Sequence, residues 1–137
     1  MSEENLADAF NENNAPFAKT MGVRMTLVTK TRVEGELDVK EENCTIPPTL
    51  HGGAIMALAD NMGGIGAFLN MPEGSLTSTI ESKTNFLRAI PIGQTAKAVT
   101  TPVNIGRTLQ VWKTDIFRED GKLAAVVTQT QIIRAAT

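Results

Sequence analysis

The sequence predicts an α+β domain in which one long apolar helix is wrapped by a single antiparallel β-sheet. Three observations carry this. A nearly uninterrupted apolar run covers residues 52 to 69, with Asp60 and Asn61 its only polar side chains. Two stretches of strict alternation precede it, and four segments rich in β-branched residues follow it, each bounded by turn chemistry. An apolar helix needs cover, and in a chain of 137 residues only the strands are able to give it.

The length fits one domain, so residues 1 to 137 are read as a single unit with an amphipathic N-terminal segment over residues 1 to 20. Leu6, Ala9, Phe10 and Phe17 recur at roughly helical spacing between Asn and Glu, which predicts a short helix over residues 5 to 18. The period then changes to two. Val23, Met25, Leu27, Val33, Leu37 and Val39 take odd positions, while Arg24, Lys30, Arg32, Glu34, Glu36, Asp38 and Lys40 take even ones. This alternation describes two antiparallel strands with one buried face, turning near Lys30. Residues 41 to 50 are polar and contain Pro47 and Pro48, so they form a loop that leads into His51-Gly52-Gly53. The apolar helix, read as residues 53 to 69, stops at Met71-Pro72-Glu73-Gly74. Strands are predicted over residues 77 to 89, 95 to 103, 109 to 118 and 123 to 134. Pro91-Ile92-Gly93, Asn104-Ile105-Gly106 and Glu119-Asp120-Gly121-Lys122 separate them, the last being a hairpin signal.

Scarcity narrows the chemistry. The chain has one His, one Cys, one Trp and no Tyr, so an internal disulfide is impossible. A zinc site built from the usual ligands is excluded, because His51 and Cys44 cannot supply four of them. No metal is expected. Acid-base work falls to carboxylates, hydroxyls and backbone amides. With 13 basic and 15 acidic residues and no run of like charge, nothing suggests nucleic acid as a partner. The acidic start Met1-Ser2-Glu3-Glu4-Asn5 does not resemble a secretory signal, so a cytoplasmic protein is expected. The run over residues 52 to 69 is long enough to span a bilayer. A charged Asp60 at its middle would cost about 3 kcal/mol there, which favours a buried helix and no membrane contact.

Two features of the helix invite chemistry. At His51-Gly52-Gly53, the first amides of a helix lack internal acceptors and, with the helix dipole, favour negative charge. The pair of glycines suits either an oxyanion site that polarises a carbonyl or a plain tight turn into the helix. Asp60 interrupts the most apolar stretch of the protein, and burial would raise its pKa toward a value suited to base chemistry. The alternative is a satisfied polar contact, to a Ser or Thr across the sheet. Gly52 and Asp60 lie about 12 Å apart along one helix, whereas a reacting carbonyl needs both groups within roughly 3 Å. If they share a site, two antiparallel copies of the helix must lie side by side. Gly63, Gly64 and Gly66 would permit that close approach, or equally serve packing on the sheet.

Leu50-His51-Gly52-Gly53-Ala54-Ile55, followed by Leu58-Ala59-Asp60, resembles the signature of hotdog-fold thioesterases of the phenylacetate-degradation type, within the 4-hydroxybenzoyl-CoA thioesterase superfamily. The similarity continues through Asn85-Phe86-Leu87-Arg88, Gly106-Arg107 and residues 119 to 124, and spans about residues 20 to 134. The resemblance implies a hotdog fold dimerised through its sheet and hydrolysis of an acyl-CoA carrying an aryl or medium-chain acyl group. It implies no cofactor beyond the CoA of the substrate, and a homodimer that completes the active site within a dimer of dimers. Gly52 would donate its N–H to the thioester carbonyl, and Asp60 of the partner subunit would attack that carbonyl or activate water. Thr79 falls where relatives carry a hydroxyl that positions the water, with Ser78 the fallback if the register slips by one. His51 would hold the loop, with Gly53 beside it among the substrate-contacting positions. The family often has Asn or Gln six residues before the motif His. Here that position is Thr45, so either its hydroxyl substitutes or Asn43 serves. Arg88 and Arg107 by resemblance, and Lys83 by alternation, are candidates to meet the CoA phosphates. Met56, Met62 and Phe86 are candidates to line the acyl pocket, or are plain core. A non-catalytic protein that binds acyl-CoA or an aromatic acid, and a hydratase or dehydratase using His51 and Asp60, are the rival readings.

Overall fold

The computed structural model describes residues 4 to 136. In chain order it contains helices α1 (Ala7–Glu12) and α2 (Pro16–Met21), strands β1 (Arg24–Val28) and β2 (Val33–Asp38), and helix α3 (Gly52–Leu69). Strands β3 (Leu76–Phe86), β4 (Thr95–Ile105), β5 (Leu109–Phe117) and β6 (Leu123–Arg134) follow. The six strands form one antiparallel sheet in the order β1-β2-β4-β5-β6-β3. Helix α3 crosses its concave side and packs on five of the strands. No helix among the described residues is long and apolar enough to cross a membrane.

Close contact between α3 and the sheet depends on missing side chains. A Cβ at Gly66 would sit 2.8 Å from the Trp112 ring, and one at Gly63 would overlap the Gln129 amide. Gly35 of β2 makes room for Met62 in the same way. Gly63 and Gly66 thus serve packing on the sheet, and Gly64 faces open space. Leu58, Ala59, Met62 and Ala67 are fully buried by this contact.

The sheet packs on the helix as expected, and its cover is one-sided. Gly53, Asp60 and Phe68 are exposed, with Ala57 and Gly64 half-buried between them, so an uncovered stripe runs the length of α3. One curved sheet offers a single inner face, and beyond it α2 and the Phe10 ring of α1, set edge-on against Phe68, also pack on the helix. The N-terminal segment also differs. Two short helices replace the single one, because the chain turns at Asn13 to Ala15 and restarts with Pro16 in the first turn of α2. Residues 1 to 3 of that segment lie outside the described residues. A bulge in β1 between Met25 and Leu27 shifts the alternation, so Val28 rather than Leu27 is fully buried.

The two sheet edges differ. At β1, the Asn11 side chain bonds both the N–H and the carbonyl of Met25, and Asn5 bonds Val28 N–H and the Thr26 carbonyl. These amides occupy the outer edge of β1 as a further strand would. At the other edge, β3 is paired only with β6 and exposes Leu76, Ile80 and Phe86.

Gly66→Ala should destabilise the fold by about 1–3 kcal/mol, since the buried Trp112 ring has no room to withdraw. A lowered urea midpoint with an unchanged slope is the expected result.

Candidate active site

The start of α3 is built by His51. Its backbone is extended while its Nδ1 accepts the Gly53 N–H at 2.8 Å, a side-chain cap on the helix. The His51 carbonyl takes the N–H groups of Ala54 and Ile55. Among the described residues these bonds leave the Gly52 N–H as the one amide of the first turn without an acceptor. That amide lies beside a cavity of about 390 Å³ lined by Leu50, Ile55, Phe86 and Arg88 among others. A Cβ at Gly52 would stand 3.2 Å from the Phe86 ring, so glycine keeps the approach to this amide open. Arg88 reaches the cavity wall while donating from Nη1 to the Leu123 carbonyl at 2.7 Å.

The loop before the helix is held by Asn43. Its Oδ1 accepts the Lys40 N–H, its Nδ2 donates to the Asp38 carbonyl, and its own carbonyl accepts the His51 N–H. The Asn43 side chain is therefore committed to a 3-10 turn, Glu41–Asn43, and not directed at the Gly52 cavity. Thr45 is exposed and does not line that cavity either.

Asp60 stands on the uncovered stripe of α3. In the single chain it is exposed, which corrects the expectation of a buried carboxylate. Its Oδ1 accepts the Thr79 hydroxyl at 2.8 Å, a contact to a Thr across the sheet. Thr79 in turn accepts Gln131 Nε2 at 2.6 Å. Asp60 borders two cavities, of about 330 Å³ beside Phe10 and Phe68 and about 200 Å³ beside Phe17 and Met21. Neither contains Gly52. Within one chain the two principal groups therefore occupy different cavities.

The remaining candidates separate by sheet face. Thr79 pairs with inward-facing Gln131, whereas Ser78 pairs with Ile132 on the opposite face, where Arg134 reaches its hydroxyl. The fallback to Ser78 does not apply, because only Thr79 faces Asp60. Lys83, paired with exposed Thr128, is also on the outer face. Arg107 lines a separate cavity with Pro72 and Gly74, beyond the C-terminal end of α3, far from Arg88 in the same chain. Met62 is fully buried core and not pocket lining, Met56 is half-buried, and Phe86 lies against Gly52. Gln131 was not legible as a site residue. The available signal was a Gln at an inward position of a strand whose other inward residues include Ala125, Val127 and Ile133.

Known proteins resemble this chain over most of its length. The family model for the thioesterase superfamily matches residues 48 to 125. A Haemophilus influenzae protein described as an esterase is 33% identical over 107 residues, covering 77% of this chain and 76% of that protein. The Arabidopsis thaliana 1,4-dihydroxy-2-naphthoyl-CoA thioesterase 2 is 28% identical over 101 residues, 73% of this chain and 63% of its own. Among solved structures, a thioesterase from Haemophilus influenzae superposes with a TM-score of 0.84 at 27% identity, over 98% of this chain and 92% of that one. The sheet and its packed helix are those of the hotdog fold.

His51→Ala removes the cap and should lower stability by about 1 kcal/mol, whereas His51→Asn supplies a capping oxygen in place of Nδ1 and keeps most of that stability. Thermal unfolding of the two variants side by side gives the comparison.

Proposed function

Because the chain belongs to the thioesterase superfamily, and is by its relatives a thioester hydrolase, we propose that it cleaves an acyl-CoA with water to release CoA and an aryl or medium-chain acid. The observation that carries this reading is that two groups suited to one reacting carbonyl stand apart in different cavities of one chain. An unpaired helix N–H at Gly52 borders one cavity, and a carboxylate at Asp60, oriented by Thr79, borders another about 12 Å along the same helix.

Two copies joined antiparallel would bring Gly52 of one to Asp60 of the other. The open edge of β3 and the uncovered stripe of α3 are the surfaces available for that union. The Gly52 N–H and the dipole of α3 then stabilise the oxyanion as the carbonyl becomes tetrahedral. Asp60 of the partner subunit either takes a proton from the attacking water or attacks the carbonyl itself, forming an anhydride that water then opens. Collapse of the tetrahedral species breaks the C–S bond and expels the CoA thiolate. The chemistry needs an amide, a carboxylate, a hydroxyl and water, with no cofactor beyond the CoA of the substrate. Arg88, at the mouth of the Gly52 cavity, is placed to meet a nucleotide phosphate, and Arg107, in a separate cavity beyond the other end of α3, would reach that nucleotide only from the partner subunit. The aryl arm is supported by the naphthoyl-CoA named for the Arabidopsis relative. We place the protein in the cytoplasm, as a dimer of dimers.

Asp60→Asn should fold normally and lose 100-fold or more in kcat across a panel of acyl-CoAs followed by thiol release, in line with roughly 10²–10⁴ for a general base. Sustained turnover in that folded variant would remove Asp60 from the chemistry. Tight acyl-CoA binding by the native chain with no thiol released would instead favour the binding-protein reading. A single turnover in heavy-oxygen water separates the two roles of Asp60, since the anhydride route places label in its carboxylate. Arg88→Ala should raise KM for an acyl-CoA several-fold while sparing the matching acyl-pantetheine, which lacks the nucleotide. Sedimentation should find no active monomer.

A further inference from the structure

Four side chains form one directed hydrogen-bond chain between β3, β6 and α3. Thr77 donates to Gln131 Oε1 at 3.1 Å, Gln131 Nε2 donates to Thr79 Oγ1 at 2.6 Å, and Thr79 donates to Asp60 Oδ1 at 2.8 Å. Backbone register explains why they meet. Thr77 and Thr79 are two apart on β3 and so share its inner face, and Gln131 stands directly opposite Thr79 on β6. A bulge at Ile80, just past Thr79, then resets the strand so that Ser82 also pairs inward, with Gln129.

The direction of this chain matters, because a hydroxyl has one proton. While Thr79 accepts from the Gln131 amide, its proton is committed to Asp60. Turning the amide over would present its carbonyl to Thr79 and draw that proton away. An ionised Asp60 would then face a hydroxyl oxygen with no hydrogen between them. Gln131 is 1% exposed, so water does not substitute for either of its bonds. Bonds in such a chain also strengthen one another, which tightens the last link to Asp60.

We propose that Gln131 is a positioning residue for the hydrolysis, acting through Thr79 to hold Asp60 Oδ1 and leave Oδ2 free for the reacting carbonyl or water. Thr77 satisfies the amide oxygen in this orientation and so supports it. The proposal rests on Asp60 being the nucleophile or base.

Kinetics of single and double variants test it. Gln131→Met keeps the volume and removes both polar atoms; kcat should fall about ten- to a hundredfold with KM within twofold. Gln131→Glu keeps the shape but offers no donor, so it competes for the Thr79 proton, and its loss should be at least as large. In a Thr79→Val background, Gln131→Met should cost less than a further twofold, because the link it works through is already gone. If the two losses multiply, or if Gln131→Met retains native kcat, the proposal is overturned. Should Gln131→Met fail to fold, the isosteric Thr77→Val at a half-buried position carries the test, with a several-fold fall in kcat expected and an unchanged kcat overturning it. Asp60→Asn is measured alongside. Its retention of activity would overturn the assignment of Asp60 and the relay together, whereas loss there with native kcat in Gln131→Met overturns the relay alone.

Discussion

A helix that is apolar around most of its circumference needs cover on every side, and one six-stranded sheet supplies only one. The placement of α3 on the sheet follows from that constraint, and so does what is left over. Glycines at 63 and 66 let the helix sink against Gln129 and Trp112, which fixes the buried side. The opposite side then carries the stripe from Gly53 through Asp60 to Phe68. Leaving so apolar a strip in water is unfavourable, and it lies near the same margin of the molecule as the open edge of β3. These two surfaces are the ones that the proposed second copy would cover.

The interior of the sheet is graded to match. Toward β2 and β4 the inward residues include Val33, Leu37, Ala96 and Ala98, with one buried hydroxyl, Thr100, bonded to Thr114. Toward β3 and β6 polar side chains gather, Thr77, Thr79, Ser82, Thr84, Gln129 and Gln131, beside Ala125, Val127 and Ile133. Apolar packing at these positions would stabilise the domain more, because polar groups in an interior contribute only while their partners are in place. Of these, Thr77, Gln131 and Thr79 connect to Asp60 through hydrogen bonds. The capped edge at β1, where Asn5 and Asn11 satisfy the backbone, shows the contrary solution at a margin with no such task.

Much of the architecture was legible because it depends on local periodicity. The helix was placed to within one residue at its start, β6 at both ends, and the turn between β1 and β2 at Lys30. Departures arise where the period is broken by something the pattern does not encode. The bulges in β1 and at Ile80 shift register without any residue type to announce them. The break between α1 and α2 falls just before Pro16, and the spacing of Leu6, Ala9, Phe10 and Phe17 does not register it. For the site, His51, Gly52 and Asp60 stood out by type and position. Asn43 also stood out, yet its amide is spent on a turn that no spacing argument foresees.

By itself the sequence determined the order of elements and the apolar helix with a glycine pair at its start and a carboxylate eight residues on, about 12 Å apart along one helix. Periodicity and rise per residue are properties of the local chain. Only the tertiary structure decided which amide is left free, which hydroxyl faces Asp60, and that Gln131, 52 residues beyond Thr79, stands behind it. Those outcomes depend on strand register and on which hydrogen bonds compete for each group, and both arise only when distant segments meet.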